Sequence, residues 1–230
     1  MPSVTLEEFL KPFSSALGRT TPPESVEKLD TENSCQYILS NALSEEEIIK
    51  KFFEETAKIG VEVTKTSANE LAQTLVEVAK TLGGEKVILV NNEAVLATNI
   101  ENAFQKEGFT TRIWDNTQGH SEIFKAQESD IGITFAYGAI AETGSVIQIT
   151  SEGSGRSLCT IPTSHIAVVK RSRVFARMGD ALCELGNEYE GNMPSNVTII
   201  SGPSATADIE LVRVVGVHGP VKTAIVFIED

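Results

Sequence analysis

The residues of this chain that are best suited to chemistry lie in four loops punctuated by glycine or proline. The first loop reads AIAETGSV, residues 139–146, and places Glu142, Thr143 and Gly144 in a tight turn. Such a turn can direct backbone N–H groups at an anion, while the carboxylate serves as a general base or as a nucleophile that forms an acyl adduct. The alternative is a solvated glutamate in an ordinary turn.

The second loop reads SEGSGRSLCTIPTSHI, residues 151–166, and contains two candidates. Arg156 follows two spaced glycines and offers a planar fork for a carboxylate or a phosphate. His165 is a candidate acid, base or metal ligand, and a structural histidine at the start of a strand is an equal alternative. The glycine spacing matches neither GxxxxGK[ST] nor GxGxxG, so neither nucleotide-binding motif is predicted.

The third loop, SGPSATADIE at residues 201–210, presents side-chain oxygens at alternating positions after a Gly-Pro turn. This pattern predicts a helix N-cap or an anion site at the same helix start, because the first N–H groups of a helix have no partner within it. The candidates are Gly202, Ser204, Thr206, Asp208 and Glu210. The fourth loop, GVHGP, places His218 at a strand end, where it either reaches a cleft or faces solvent.

The spacing of these residues predicts no metal site. A metal would need one of the three histidines of the chain to meet Asp208 or Glu210, and no pattern such as HExxH supports that. The GxSxG elbow of a serine hydrolase is also absent. From residue types alone, we expect a cleft for a small molecule or an anion, and the reaction stays open.

The charge balance limits the classes of partner. The 230 residues carry a formal charge of −13, which argues against a nucleic-acid binder because phosphate contacts require a clustered basic surface. One local basic cluster, KRSRVFAR at residues 170–177, predicts a solvated strand end, with an anionic ligand or partner as the alternative. The length and an apolar content of 41% fit one α/β domain with an appendage, or two small domains.

The N-terminus and the cysteines predict a cytoplasmic protein. The opening MPSVTLEEFLKPF lacks the pattern of a secretion signal, and no apolar run approaches the roughly 20 residues that span a bilayer. The three cysteines are far apart and include no CxxC pair, so this chain alone is expected to bind no iron–sulfur cluster. An odd cysteine count without a secretion signal suits a reducing compartment.

Hydrophobic periodicity predicts helices that alternate with strands after residue 43. Ser44 and Glu47 have capping-box spacing before an apolar helix face, and Ser67 and Glu70 repeat the pattern. Strands are predicted around residues 61–65, 86–92 and 109–115, and a further helix around residues 92–108. This alternation indicates βαβ units and a largely parallel sheet.

After residue 130 the pattern changes to closely spaced strands, interrupted by a helix at residues 176–191. The fold class we expect is α/β, a three-layer domain over residues 43–230. A helical segment and linker over residues 1–42 precede it as an appendage. In open α/β sheets a ligand lies outside the carboxyl ends of the strands, so we expect the four loops to meet there.

Four motifs in a fixed order resemble the LUD-domain family, also called DUF162. They are GITFAYGAIAETGSV, IPTSHIAVV, SGPSATADIE and GVHGP, and they cover about residues 131–220. The order of elements extends the resemblance more loosely from residue 43 to the end. It implies a three-layer fold similar to the ribose-phosphate isomerase, CoA-transferase and formyltetrahydrofolate cyclo-ligase group, known as the NagB/RpiA/CoA-transferase-like fold.

The resemblance also implies a role in oxidising L-lactate to pyruvate, together with two partner proteins that carry the iron–sulfur clusters. On the matching positions, it implies that the four loops form three walls of one small-anion cleft. Arg156 is then the expected partner of a lactate carboxylate, and His165 or His218 the group closest to a proton transfer. Two alternatives stay open: a stand-alone enzyme of the isomerase, CoA-transferase or cyclo-ligase type that uses Glu142, and a regulatory module that binds a ligand without turnover.

Overall fold

The computed structural model describes residues 5–21, 43–92, 95, 99–206, 214–216 and 218–229. The chain divides into two compact units, Met1–Tyr37 and Ile38–Asp230. The smaller unit contains helix α1, Leu6–Ala16, whose N-cap Thr5 forms a capping box with Glu8. The helix expected near the N-terminus is therefore confirmed. The predicted linker lies largely outside the described residues, and the domain boundary after residue 42 stays a prediction.

The larger unit alternates helices and strands in the order that the periodicity indicates. Its helices are α2 Glu45–Lys58, α3 Leu71–Leu82, α4 Ile100–Lys106, α5 His120–Gln127, α6 Ser157–Thr160 and α7 Met178–Glu188. Its strands are β1 Glu62–Thr66, β2 Lys86–Leu89, β3 Thr110–Ile113, β4 Ile131–Phe135, β5 Gly138–Ile140, β6 Ser145–Ile149, β7 Ser164–Lys170, β8 Val174–Phe175, β9 Val197–Ile200, β10 Ala205–Thr206, β11 Val214–Val215 and β12 Lys222–Ile228.

Six of the strands form a parallel sheet with the order β1-β12-β7-β4-β2-β3. Four others form a smaller mixed sheet with the order β8-β5-β6-β9. The remaining two, β10 and β11, pair with each other in antiparallel fashion.

The parallel sheet is covered on both faces, as all-parallel sheets are. Along β7 the side chains alternate: Ile166 and Val168 belong to the core cluster that holds α3 and α4, whereas Ala167 and Val169 belong to the cluster on the opposite face. That opposite face is covered by α2 and by the inner side of the smaller sheet. Helix α7 packs against the outer side of the smaller sheet. The predicted three-layer α/β sandwich is confirmed, and one of its covering layers contains a second sheet.

Several boundaries differ from the predicted ones. Helix α3 begins at Leu71 rather than after Ser67, because residues 68–70 form a turn and Glu70 is the N-cap without a side-chain cap bond. The helix expected around residues 92–108 contains α4, while residues 93, 94 and 96–98 lie outside the described part. Helices α5 and α6 were not predicted, because both are short and neither carries a full apolar stripe.

The two capping-box predictions can be separated by mutation. In α2 the Ser44 hydroxyl accepts from the Glu47 backbone N–H, and the Glu47 carboxylate accepts from the Ser44 N–H at 2.8 Å. We expect Ser44→Ala to lower the free energy of unfolding by about 1 kcal/mol. Ser67→Ala is the matched control, and a change within about 0.5 kcal/mol is expected because Ser67 caps no helix. Urea denaturation measures both, and equal losses would contradict this account of α3.

Candidate functional site

The turn after β5, which contains Glu142, Thr143 and Gly144, packs against the C-terminal end of α2. Gly144 has a φ of +64°, and a Cβ there would lie 2.6 Å from the backbone nitrogen of Thr56. Glycine is therefore required both for the backbone angle and for the close approach. Because α2 leads into the start of β1, this turn lies beside the amino ends of the parallel strands.

The first and third loops meet through a row of hydroxyl groups. The Thr143 and Ser145 oxygens are 2.7 Å apart, and the Ser145 oxygen is 2.6 Å from that of Ser201. Glu142 points to a different partner, since its carboxylate accepts a hydrogen bond from Arg177 Nε at 2.9 Å. The carboxylate predicted to act as a base or nucleophile is thus a half-buried member of an ion pair.

Gly144 and Gly202 line a narrow crevice together with His165 and Thr223. His165 and Thr223 are the second residues of β7 and β12, so this crevice also lies at the amino ends of the parallel strands. The buried Thr223 hydroxyl has no hydrogen-bond partner among the described residues. The expectation that these loops meet at the carboxyl ends of the parallel sheet is therefore wrong, because the strands of the smaller sheet carry the first loop back to the opposite end.

His165 lies between the two sheets and is only 1% exposed. Gln148 Nε2 donates to Thr134 Oγ1 at 2.7 Å, and Thr134 Oγ1 lies 2.8 Å from His165 Nε2. The threonine hydroxyl therefore links the amide of Gln148 to the imidazole of His165, and which atom donates in the second bond depends on the ring tautomer. Burial lowers the pKa of this ring to about 4. The ring is therefore neutral at physiological pH, as expected of a structural histidine; its catalytic role stays a prediction.

The third and fourth loops pair with each other. The Ser204 backbone N–H donates to the Pro220 carbonyl at 2.9 Å, and the Ser204 carbonyl accepts from Gly216 at 2.8 Å. Thr206 lies in β10, so the helix start expected after the Gly-Pro turn is wrong for the described residues 205–206. His218 is exposed. Asp208 and Glu210 lie outside the described residues, and the binding roles of this loop stay predictions.

Arg156 lines a different depression, which adjoins the end of β3 and the start of α5. Two of its neighbours there are Trp114 and His120, which the sequence reasoning did not select as ligand-binding residues. Arg156 and His165 therefore do not share one wall of a cleft. The residues expected to form a single three-walled cleft lie at two separate sites. Trp114 directly follows β3, and ligands in such sheets lie beyond the carboxyl ends of the parallel strands. This rule could have pointed to Trp114 from the sequence.

The neighbour of this depression, Cys159, is packed rather than exposed. It is 3% exposed, and its thiol donates to the Arg156 carbonyl at 3.2 Å. Burial raises the pKa of the Cys159 thiol to about 11, so very little thiolate forms at neutral pH. Within the described ranges, no group of three histidine, cysteine or acidic side chains could hold a metal ion. No helix in the same ranges is long and apolar enough to cross a bilayer.

The three-layer fold and these motifs are those of a known protein family. The family model of the LUD domain matches residues 49–228, so this chain belongs to the LUD-domain family. The chain is also similar to a crystal structure of a DUF162 family protein from Deinococcus radiodurans, with a TM-score of 0.56 and 24% identity. That similarity covers 81% of this chain and 99% of the other, and it supports the fold.

Particular relatives carry a functional name. The chain is 34% identical over 227 residues to "Lactate utilization protein C 1" of Bacillus mycoides, with 97% of each chain covered. It is 32% identical to "Lactate utilization protein C" of Halalkalibacterium halodurans, again with 97% of each chain covered. The protein of the same name from Bacillus subtilis is 32% identical over 230 residues, covering 97% of this chain and 96% of the relative. The family resemblance read from the four motifs is confirmed.

The burial of His165 predicts how the stability of the fold depends on pH. Its pKa is about 4 in the folded protein and about 6.5 in the unfolded chain, so only the unfolded chain takes up the proton between these values. The neutral His165 therefore contributes to the free energy of unfolding. This contribution is complete above pH 6.5, and about 3 kcal/mol of it is lost as the pH falls to 4. Urea denaturation of His165→Gln at several pH values should show a shallower loss over this window. An unchanged slope would contradict the assignment.

The environments of two cysteines predict different reactivity. Cys159 is buried with a raised pKa, whereas Cys183 is exposed on α7. We expect iodoacetamide to alkylate Cys183 at least about tenfold faster than Cys159 in the native protein at pH 7.5. Peptide mass spectrometry measures both sites in one sample, and urea-unfolded protein is the control in which both should react. Rapid native labelling of Cys159 would show that its pocket is open.

Proposed function

We propose that this protein is a subunit of a system that oxidises L-lactate to pyruvate and that it works together with iron–sulfur partner proteins. The observation that carries the proposal is similarity over 97% of the chain to proteins named "Lactate utilization protein C". Because the similarity covers both chains almost completely, the relatives and this protein share one architecture rather than one module. The order of the four loop motifs points the same way.

The chemistry of the reaction divides the work between subunits. Oxidation of lactate converts the C2 hydroxyl to a carbonyl and releases two protons and two electrons. This chain has three cysteines without a CxxC pair, so it offers no iron–sulfur ligand motif of its own. We assign electron transfer to the partner proteins, and to this chain the binding and orientation of the small carboxylate. The cytoplasm is the proposed location, since an odd cysteine count suits a reducing compartment.

The Arg156 depression is the proposed small-anion cleft. Arg156 is exposed and has no ion pair among the described residues. A guanidinium group binds a carboxylate through two parallel hydrogen bonds, which fixes orientation as well as position. The first loop is a weaker candidate for the anion cleft, because Glu142 forms an ion pair with Arg177 and the crevice beside it is narrow.

Affinity purification tests the proposed assembly. A tagged form of the protein is isolated from cells of its source grown on lactate, and the co-purifying proteins are identified by mass spectrometry. We expect proteins rich in cysteine, the absorbance of iron–sulfur clusters, and L-lactate-dependent reduction of an artificial electron acceptor by the eluate. The control is the same purification after growth on glucose with the tagged protein expressed at an equal level.

A solitary protein recovered from lactate-grown cells under mild conditions, with no lactate oxidation in the eluate, would contradict the subunit assignment. An eluate that contains no partner and yet turns over an acyl-CoA or a sugar phosphate would favour the stand-alone enzyme that uses Glu142. Binding of a ligand without partners or turnover would favour the regulatory module.

A further inference from the structure

The depression beside Arg156 has a lining suited to an anion. It encloses about 510 Å³, within the range of small-molecule sites, and no carboxylate side chain contributes to its walls. The walls include Trp114, Gly119, His120 and Arg156, and most of the other lining residues have hydroxyl or amide side chains, such as Asn116 and Asn196. In a protein with a net charge of −13, a depression without acidic groups is a distinct surface.

The indole of Trp114 supplies an unused hydrogen-bond donor. The residue is 6% exposed, and its Nε1–H has no acceptor among the described residues. Buried tryptophan N–H groups usually have a partner, so an unpaired one calls for an explanation. The backbone of Gly155 lies against the ring, since a Cβ there would come within 2.2 Å of it. The ring thus packs directly against the loop that carries Arg156.

The positive end of a helix faces the same depression. Helix α5 has eight residues, and Gly119 is its N-cap without a side-chain cap bond. Gly119 and His120 line the depression, so the partial positive charge at this end of the helix adds to that of Arg156.

Two acidic side chains close in sequence to this helix start have partners of their own. Asp115 accepts hydrogen bonds from the Thr117 hydroxyl at 2.6 Å and from Gln118 at 3.0 Å. Glu122 is buried and pairs with Lys125. Neither carboxylate lines the depression, so the charge of Arg156 is left available to a ligand.

We propose that this depression binds a small 2-oxo- or 2-hydroxycarboxylate. The carboxylate is held by Arg156 at the positive end of α5, and a small shift of the buried indole lets Trp114 Nε1 donate to the oxygen on C2. The unpaired indole N–H selects a ligand with a second acceptor beside its carboxylate. The proposal rests on the proposed function for the choice of lactate and pyruvate as probes, while the anion site itself rests on the geometry.

Trp114 is the single tryptophan of the chain, so its fluorescence reports on this depression without mutation. The full-length protein is titrated with pyruvate, L-lactate, propionate and inorganic phosphate at constant ionic strength. We expect a saturable change with pyruvate or L-lactate. We expect about tenfold weaker binding of propionate, which has the carboxylate but no oxygen on C2. Saturation by phosphate without competition from pyruvate would show an anion site of another class and overturn the proposal.

Two variants separate the contributions of Arg156 and Trp114 to ligand binding. Arg156→Gln should weaken pyruvate binding about tenfold or more, while Arg112→Gln, which removes an exposed arginine of the ion pair with Glu128, should bind like the wild type. Trp114→Phe is followed by calorimetry, and it should bind pyruvate and propionate equally because the donor that distinguishes them is gone. Circular dichroism confirms that each variant is folded, and if one is not, the ligand series on the wild type decides.

The proposal is overturned if wild-type protein responds to neither pyruvate nor lactate, or if Arg156→Gln binds pyruvate as tightly as the wild type. Its failure differs from failure of the proposed function. Partners recovered from lactate-grown cells together with absent carboxylate binding would overturn this site and leave the subunit assignment standing. Carboxylate binding without partners or lactate oxidation would support the site and overturn the subunit assignment.

Discussion

The larger unit depends on the need to bury both faces of a parallel sheet. Strands β4, β7 and β12 carry apolar side chains on both sides, and nearly all of their residues are buried. Helices α3 and α4 cover one face. The other face is covered by α2 together with the smaller sheet, and it contains the one described chain of buried polar groups, from Gln148 through Thr134 to His165. Those bonds satisfy groups that would otherwise be costly to bury between two sheets.

This covering arrangement also determines where the loops lie. The chain leaves β4, reverses into β5, and carries the Glu142 turn back to the end of α2. It then returns along β6, so residues 153–155 reach the segments that follow β2 and β3, where Gly153 approaches Asn91 and Gly155 approaches Trp114. The connection then passes through α6 to the start of β7. This single connection between β4 and β7 therefore visits both ends of the parallel sheet, and it contributes residues to a separate site at each end.

Several features that depend on local order could be predicted from the sequence, although the Ser67–Glu70 box failed because residues 68–70 form a turn. The Ser44–Glu47 capping box, the alternation of helices and strands, and the family motifs all depend on neighbouring residues, and all are present. The second sheet could not be read from the sequence, because strand pairing joins residues such as Val146 and Ile200 that are far apart in the chain. For the same reason the loop sequences did not show that Arg156 lies beside Trp114 and not beside His165, although the position of Trp114 after β3 was a signal for Trp114 itself.

The two orphaned polar atoms of the described residues lie at the two candidate sites. Thr223, which carries one of them, lines the narrow crevice beside His165, and Trp114, which carries the other, lines the wider depression beside Arg156. The crevice suits a structural role, since its histidine is neutral and its space is small. The depression has the charge, the room and the unused donor that a small carboxylate needs.

The most direct test is a nitrogen-15 NMR titration of the uniformly labelled protein with pyruvate. One tryptophan gives one indole N–H signal, and that signal belongs to Trp114. Our account predicts that this signal moves in a saturable way in the wild type and stays in place in Arg156→Gln. A stationary indole signal, with shifts confined to the Glu142 turn, would contradict the account and move the ligand to the other end of the sheet.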